Sequence, residues 1–276
     1  MNWHSLCHSP GVPPGRLRSP VDPEIGGWAK SLAILLRKLR LLIQREGWAG
    51  TVRVGLKKYR YLAEFTPARR RARREASEFD RFHEVTTSAI VDLSELRVEG
   101  PSAPFGFRHQ PSPPERFTEI IRSLPIRFED FAFVDLGSGL GRALLLAAQF
   151  PFQRIVGVEL SRELERVAQD NLRCFRSPRR CARIESVLGD AATFELPGAP
   201  LVVYLYNPFD EPVLARCLKN IEHSLAGRPR PIVVVYYYPK LRHVFEGSPA
   251  LRTFYVGDDV AIYASPWSPR GSPAQP

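Results

Sequence analysis

A glycine-rich turn is the feature of this sequence most able to do chemistry. The stretch FVDLGSGLGR, residues 133–142, leads from an apolar strand pattern into an apolar helical pattern. Glycine permits a tight turn and lets a ligand approach the backbone without a Cβ in the way. The helix after the turn, expected over 141–149, would offer free N–H groups and a positive dipole end to a polar ligand. The turn therefore predicts a nucleotide-like ligand at this strand end.

Acidic residues stand at the ends of three successive strand patterns. Asp135 closes the first, Glu159 closes RIVGVEL 20 residues after Gly139, and Asp190 follows the third. A carboxylate at the second position can accept hydrogen bonds from both ribose hydroxyls, and one at the third can accept a hydrogen bond from the adenine amine. Each acid alone could be a surface charge or a helix cap. Together, beside a glycine turn, they favour a nucleoside site over an empty turn.

The identity of the nucleotide follows from what the turn lacks. Arg142 occupies the sixth position of G-x-G-x-x-G, where the dinucleotide fingerprint has glycine, and no Gly-Lys-Ser/Thr follows. These departures disfavour an NAD-dependent oxidoreductase and a nucleotide triphosphatase. The D-x-G-x-G-x-G form suits a ligand without pyrophosphate, and Asp135 would then face an ammonium group of that ligand or its bound water. S-adenosylmethionine has that chemistry.

The combination of FVDLGSGLGRALLLAA, RIVGVELS, GDA and NPF resembles class I S-adenosylmethionine-dependent methyltransferases, closest to bacterial members of unassigned substrate. The resemblance covers about residues 79–265, and DLGSG alone also resembles the non-SET histone lysine methyltransferases. It implies that the turn and first acid hold the methionine part, the second acid the ribose, and that the third approaches the adenine. In this chain the implied cofactor-binding residues are Asp135, Gly137, Ser138, Gly139, Gly141, Glu159 and Asp190.

The chain departs from its relatives at two places. Relatives usually carry an aromatic residue and Pro-Thr-Pro ahead of the domain, where this chain has HQPSP at residues 109–113. After the fifth strand relatives often carry Tyr-Asn-Pro, and here the sequence is Tyr237-Tyr238-Pro239. Tyr238 therefore stands where the family pattern has an amide.

The fourth strand pattern ends in a second candidate motif, Asn207-Pro208-Phe209. The Asn207 amide oxygen could accept a hydrogen bond from an amine and point its lone pair at the methyl group, while Phe209 could wall the pocket. The motif resembles the NPP(F/Y) element of amino-methyltransferases without its second proline. The alternative is a turn in which Asn207 caps the next helix. These three residues are the candidate catalytic residues, and the predicted methyl acceptor is an amine of a protein lysine or a small molecule.

The elements that must position these residues follow from hydrophobic periodicity. Five near-continuous apolar strands, most of them separated by helices, predict a parallel sheet covered on both faces. Two last strands around Gly257-Asp258 predict an antiparallel hairpin at one edge. The expected fold is a Rossmann-like α/β domain with a seven-stranded, mostly parallel sheet, as the resemblance also implies, plus a helical N-terminal extension. The predicted organisation is a disordered segment 1–26, a basic extension and linker 27–114, the domain 115–265 and a disordered tail 266–276.

The charge distribution bears on partners. The net charge is +10, but residues 1–80 carry +9 of it and residues 81–276 only +1. A nucleic-acid-binding core would carry the basic patch itself, so no specific nucleic-acid binding is expected. Residues 28–74 combine an amphipathic helical pattern with ARRRARR at 68–74, which allows weak contact with an anionic surface or simply a packed helix and a solvated arm. The alternative function is a non-catalytic S-adenosylmethionine-binding module that acts through this arm.

Cysteine and histidine usage carries no metal signature. The four cysteines show no C-x-x-C and no zinc-like spacing, and the histidines are scattered, so no metal is expected and the thiols should be reduced. No apolar run of about 18 residues and no signal-peptide core occurs, which predicts a cytoplasmic protein.

Overall fold

The computed structural model describes residues 67–89, 91, 96, 102 and 110–266. The chain divides into a unit Met1–Arg71 and a unit Ala72–Pro276, and nearly all described residues belong to the second. The predicted disordered segment 1–26 and the predicted amphipathic helix from Trp28 lie outside the described residues, as does the predicted disordered tail 266–276 apart from Pro266. Within the described part of the chain, a helix with the length and hydrophobicity of a membrane span is not found.

Seven strands form one sheet in the order β3-β2-β1-β4-β5-β7-β6. The strands are β1 (Ala132–Leu136), β2 (Arg154–Glu159), β3 (Ile184–Leu188), β4 (Leu201–Tyr206), β5 (Ile232–Tyr237), β6 (Arg252–Val256) and β7 (Val260–Ala264). The pairs among β1 to β5 are parallel, and β7 runs antiparallel to both β5 and β6. The predicted Rossmann-like fold class is therefore confirmed.

The hairpin of β6 and β7 inserts its second strand into the sheet. β7 pairs with β5 and is buried over four of its five residues, whereas every residue of β6 is exposed at the sheet edge. The hairpin itself was predicted from Gly257-Asp258, but the order of its two strands was not. The apolar sequence VAIYA takes the inner position because it gains more from burial than RTFYV.

The described residues include six α-helices. They are α1 (Pro67–His83), α2 (Pro114–Arg122), α3 (Arg142–Ala147), α4 (Arg162–Cys174), α5 (Glu211–Gly227) and α6 (His243–Glu246). α2 begins at a position suited to proline, since Pro113 is its N-cap and Pro114, which needs no N–H partner in the first turn, is its first residue. The helix after the glycine turn is shorter than predicted, with six residues instead of a run over 141–149.

Both faces of the sheet are covered, as the near-continuous apolar strands required. Phe133 and Ile155 face a core that includes Phe79, Phe117 and Leu144 from α1, α2 and α3. The alternate strand residues face a second core that contains Leu214 and Ile221 of α5, among others. Because side chains alternate along a strand, a sheet buried on both sides must be apolar at nearly every position.

The strand order reverses direction once in the sheet. The chain winds outward from β1 toward β3 in one direction and from β4 toward β6 in the other, so the order reverses between β1 and β4. Ligands of open α/β sheets bind at the carboxyl ends of the strands beside such a reversal. The glycine turn follows β1 and the Asn207 motif follows β4, so the two predicted motifs lie on either side of this reversal.

Candidate cofactor and methyl-acceptor site

The glycine turn depends on three left-handed backbone positions. Gly137, Gly139 and Gly141 have φ values of +86°, +54° and +83°, which side-chain-bearing residues rarely adopt. The N–H groups of Gly137 and Ser138 donate to the carbonyl of Val158 on β2, at 2.9 and 3.1 Å. The turn is thus bound to the neighbouring strand end as well as to its own.

Glu159 is hydrogen-bonded to the middle of the turn. Its carboxylate is buried and accepts the N–H of Gly139 at Oε2 and the N–H of Ser161 at Oε1, both at 2.8 Å. Burial raises the pKa of Glu159, although these backbone donors oppose the shift. Each carboxylate oxygen has a second lone pair, so Glu159 can accept further hydrogen bonds from a ligand hydroxyl.

Asp135 is the second buried acid at this edge. Burial, together with the nearby charge of Glu159, raises the pKa of Asp135 to about 8. Asp135 and Glu159 are buried carboxyl groups at the ends of adjacent strands, and a bound cation would stabilise their ionised forms. Because the turn offers a cradle and the acids offer acceptors for an ammonium and for hydroxyls, the residues present fit S-adenosylmethionine.

The raised pKa of Asp135 predicts a pH dependence of stability. Between the ordinary pKa near 4 and about 8, the folded protein keeps a proton that the unfolded chain releases, so the free energy of unfolding should fall as pH rises. One such group contributes a slope of up to about 1.4 kcal/mol per pH unit. Urea unfolding between about pH 5 and about pH 8 should show a smaller decline in Asp135→Asn than in the wild type. Parallel curves for the two proteins would contradict the assignment.

Asp190 lies in a polar cluster that the sequence did not predict. Its Oδ2 accepts the hydroxyl of Ser102 at 2.7 Å and lies 3.7 Å from Nη2 of Arg216, while Oδ1 accepts the N–H of Ala192 at 2.9 Å. Arg216 also donates to Ser102 Oγ at 3.2 Å. Ser102 is 88 residues upstream in a proline-rich stretch and Arg216 is one of 39 basic residues, so no local signal marked either.

The Asn207 motif packs directly on the glycine turn. A Cβ at Gly137 would lie 2.7 Å from Cβ of Pro208 and 3.4 Å from the Phe209 ring. The structure thus brings the predicted cofactor turn and the predicted acceptor motif into contact. Asp190 and its partners lie at the end of β3, two strands away from β1.

Asn207 itself is held by a partner on the neighbouring strand. Its Oδ1 accepts the Tyr236 hydroxyl at 2.9 Å, and its backbone is left-handed with φ of +42°. The N-cap of α5 is Asp210, so the alternative in which Asn207 caps that helix is not what the structure has. Asparagine tolerates the left-handed region better than most residues, and strained positions of this kind cluster at functional sites.

Tyrosines line the ends of β4 and β5 next to Asn207. The ring centres of Tyr206 and Tyr237 lie 4.7 Å apart, and the ring centre of Tyr238 lies 6.2 Å from that of Tyr206 and 5.5 Å from that of Tyr237. Tyr238 is about half exposed and has a left-handed φ of +54°. The residue that replaces the family amide therefore adopts the same backbone region as Asn207 on the adjacent strand.

The segment that departs from the family before α2 also reaches the sheet. Ser112 is buried, and its Oγ lies 3.0 Å from the hydroxyl of Tyr204 on β4. Tyr204 is the register partner of Asp135, and burial raises the pKa of its hydroxyl. Among the described residues, no group of three or more His, Cys, Asp or Glu side chains could hold a metal ion.

Comparison with known proteins supports the likeness inferred from the motifs. Residues 113–183, 71 of the 276, match the family model of the histone methylation protein DOT1. The match includes the glycine turn and Glu159, and it extends well beyond the DLGSG stretch to which the likeness to histone methyltransferases was expected to be confined. The predicted resemblance to S-adenosylmethionine-dependent methyltransferases is thereby confirmed. No curated protein matches the chain.

Solved methyltransferase structures are similar at a distance. A predicted N6-adenine-specific DNA methylase from Listeria monocytogenes is 16% identical with a TM-score of 0.44, over 58% of this chain and 52% of that one. The mitomycin 7-O-methyltransferase MmcR is 16% identical with a TM-score of 0.42, over 55% and 52%. The 23S rRNA methyltransferase ErmE is 16% identical with a TM-score of 0.40, over 58% and 71%. The chain spans about half the length of the first two, and likeness at this level does not extend to a substrate.

Proposed function

We propose that this protein binds S-adenosylmethionine at the carboxyl edge of β1 to β3 and transfers its methyl group to an amine beside Asn207. The observation that carries the proposal is the contact of the left-handed glycine turn with Pro208 and Phe209, flanked by the buried acids Asp135 and Glu159. The match of residues 113–183 to the DOT1 family model supports methylation in general. The amine acceptor and the roles of individual residues are part of this proposal.

Each cofactor-binding residue has a distinct task in this proposal. The Asp135 carboxylate accepts from the ammonium, and Gly137, Ser138, Gly139 and Gly141 provide the cradle for the methionine part. Glu159 accepts from the ribose hydroxyls with its remaining lone pairs, and Asp190 accepts from the adenine amine. S-adenosylmethionine supplies a methyl group that its sulfonium activates for transfer.

The protein's contribution to transfer is alignment and exclusion of water. Displacement at a sulfonium moves charge without creating much, so proximity and a dry pocket provide most of the acceleration. The Tyr236 hydroxyl occupies one lone pair of Asn207 Oδ1 and holds the amide plane, which leaves the second lone pair for an amine N–H. Phe209 walls the pocket beside the turn. An amine that arrives deprotonated needs no general base.

The acceptor is proposed to be an amine of a protein lysine or a small molecule. The alternative remains a non-catalytic S-adenosylmethionine-binding module that acts through the basic residues 28–74, nearly all of which lie outside the described residues. Both the enzyme and the binding module would bind S-adenosylmethionine, but only the enzyme would transfer methyl groups. Weak contact of residues 28–74 with anionic surfaces is compatible with either.

Calorimetric titration with S-adenosylmethionine tests the shared part of both functions, with NAD as the control ligand. Saturable binding of the first and none of the second supports the site. Transfer of labelled methyl groups to lysine-containing proteins and to small amines then separates the enzyme from the module. If the folded protein bound neither S-adenosylmethionine nor NAD, both functions would be overturned.

Removal of the Asn207 amide should separate chemistry from cofactor binding. Asn207→Gly keeps a residue suited to φ of +42° while deleting the amide, so we expect unchanged S-adenosylmethionine affinity and a kcat at least tenfold lower. Tyr236→Phe, which removes only the hydroxyl that orients the amide, should give a smaller loss of kcat. Single-turnover methyl transfer measures both, and an unchanged rate in Asn207→Gly would remove Asn207 from the reaction.

A further inference from the structure

The residue directly after the glycine turn, Arg142, is buried although it carries a charge. It is 1% exposed, and its identified partners lie far upstream in the chain. Nη2 donates to Asp80 Oδ1 and to the carbonyl of Ala76, both at 2.9 Å, and Nε donates to Thr87 Oγ1. The guanidinium also lies 4.4 Å from the centre of the Phe79 ring.

Both carboxylate oxygens of Asp80 accept hydrogen bonds. Its Oδ1 accepts the hydroxyl of Thr87 at 2.7 Å, and its Oδ2 accepts the N–H groups of Thr87 and Ser88 at 2.8 and 2.6 Å. The carboxylate therefore connects the C-terminal half of α1 to residues 85–88, which follow that helix, and both segments contact Arg142. The result is one buried polar cluster, Asp80–Thr87–Arg142.

A second set of hydrogen bonds connects residues 85–88 to the turn. Asn171 of α4 donates through Nδ2 to the carbonyls of Leu140 and Thr86, both at 2.9 Å, and accepts the N–H of Thr86 at 2.7 Å. Leu140 and Arg142 are the two neighbours of Gly141, whose φ is +83°. Residues 86–87 thus hold the turn from both sides of its last glycine.

Packing alone does not account for a charge at this place. A buried ion pair is often replaced by apolar residues of similar volume without loss of stability, whereas removal of one partner is strongly destabilising. Nη1 of Arg142 is buried and has no acceptor among the described residues, which is an added cost. What the cluster does provide is a directional, fully buried link between α1 and the one turn in which three glycines must remain left-handed.

We propose that Arg142 is a positioning residue for the cofactor turn, and that residues 76–88 belong to the cofactor site through Asp80 and Thr87. These residues lie upstream of the segment that matches the DOT1 family model. The inference rests on the proposed function in one respect, that S-adenosylmethionine is the ligand of the turn.

Three variants and two measurements test this role. Thr87→Val keeps the side-chain shape and removes the hydroxyl, and Asp80→Asn removes the charge. Leu218→Ala, in the core on the opposite face of the sheet, is the control for general destabilisation. We expect S-adenosylmethionine binding at least tenfold weaker in both cluster variants, and faster amide hydrogen exchange at residues 137–141 than in wild type. Leu218→Ala should keep the wild-type Kd and the wild-type hydrogen exchange of residues 137–141, even if its Tm falls as much as the Tm of the two cluster variants.

The two measurements keep the inference separable from the proposed function. Hydrogen exchange needs no ligand, so faster exchange in Thr87→Val would support the positioning role even if the wild type bound no S-adenosylmethionine. Wild-type exchange and wild-type Kd in Thr87→Val, at any Tm, would overturn it. If Asp80→Asn does not fold, Thr87→Val alone decides the question.

Discussion

Gly137→Ala should abolish S-adenosylmethionine binding and methyl transfer together. The added Cβ would lie 2.7 Å from Cβ of Pro208, a contact that requires the Asn207 motif or the turn to move. The backbone at residue 137 has φ of +86°, which alanine adopts at a cost, so local relaxation is opposed as well. Since both halves of the proposed site meet here, we expect no saturable binding in a calorimetric titration and a Tm below that of wild type.

Gly189→Ala is the matched control. Residue 189 is also a glycine at a strand end on this edge, but its φ lies outside the left-handed region and a Cβ there would lie 3.6 Å from Val158 Cγ1, an ordinary contact. We expect nearly wild-type binding and stability. If Gly137→Ala bound the cofactor as Gly189→Ala does, the turn would not be the site.

Glu159→Ala should weaken S-adenosylmethionine binding by about 1–3 kcal/mol, or roughly 5- to 150-fold in Kd. The substitution leaves the buried N–H groups of Gly139 and Ser161 without their acceptor and removes the proposed partner of the ribose hydroxyls. Glu159→Gln should lose nearly as much, because the amide NH₂ must face one of these two N–H donors. Isothermal titration at a fixed pH measures both variants.

An exposed acid on the next strand provides the comparison for Glu159. Glu185 of β3 forms an ion pair with Arg154, and both side chains are more than 40% exposed, so Glu185→Ala should leave Kd unchanged. Equal losses in Glu159→Ala and Glu185→Ala would indicate an unspecific charge effect. A loss confined to Glu159 would support its place in the site.

Much of this site was predictable because its signals are local. A glycine turn between an apolar strand and an apolar helix, and acids at strand ends, are encoded by neighbouring residues and by periodicity. A parallel sheet then brings all strand ends to one edge, so Asp135, Glu159, Asp190 and Asn207 had to lie along it. The predicted sheet and its hairpin follow from those few rules, whereas the contact of the turn with the Asn207 motif depends on β1 and β4 being neighbours in the sheet.

Other parts depend on partners that local patterns do not identify. Asp80 lies 62 residues from Arg142, Ser102 lies 88 from Asp190, and Tyr236 lies 29 from Asn207. In the sequence Arg142 only argued against a dinucleotide, and the tyrosines of β5 had no assigned role. A buried polar group takes whichever partner the packing of distant elements brings within reach, because leaving it unpaired costs more than any local preference supplies.

The sequence alone therefore determined the α/β class, the sheet edge that carries the proposed site, and the likeness to methyltransferases, since turn chemistry and strand burial depend on adjacent residues. Only the tertiary structure decided that β7 lies inside β6, that Tyr236 orients Asn207, and that residues 76–88 hold the turn through Arg142. These depend on which long-range arrangement buries the most apolar surface while it satisfies every buried polar atom it can, and that balance is a property of the whole fold.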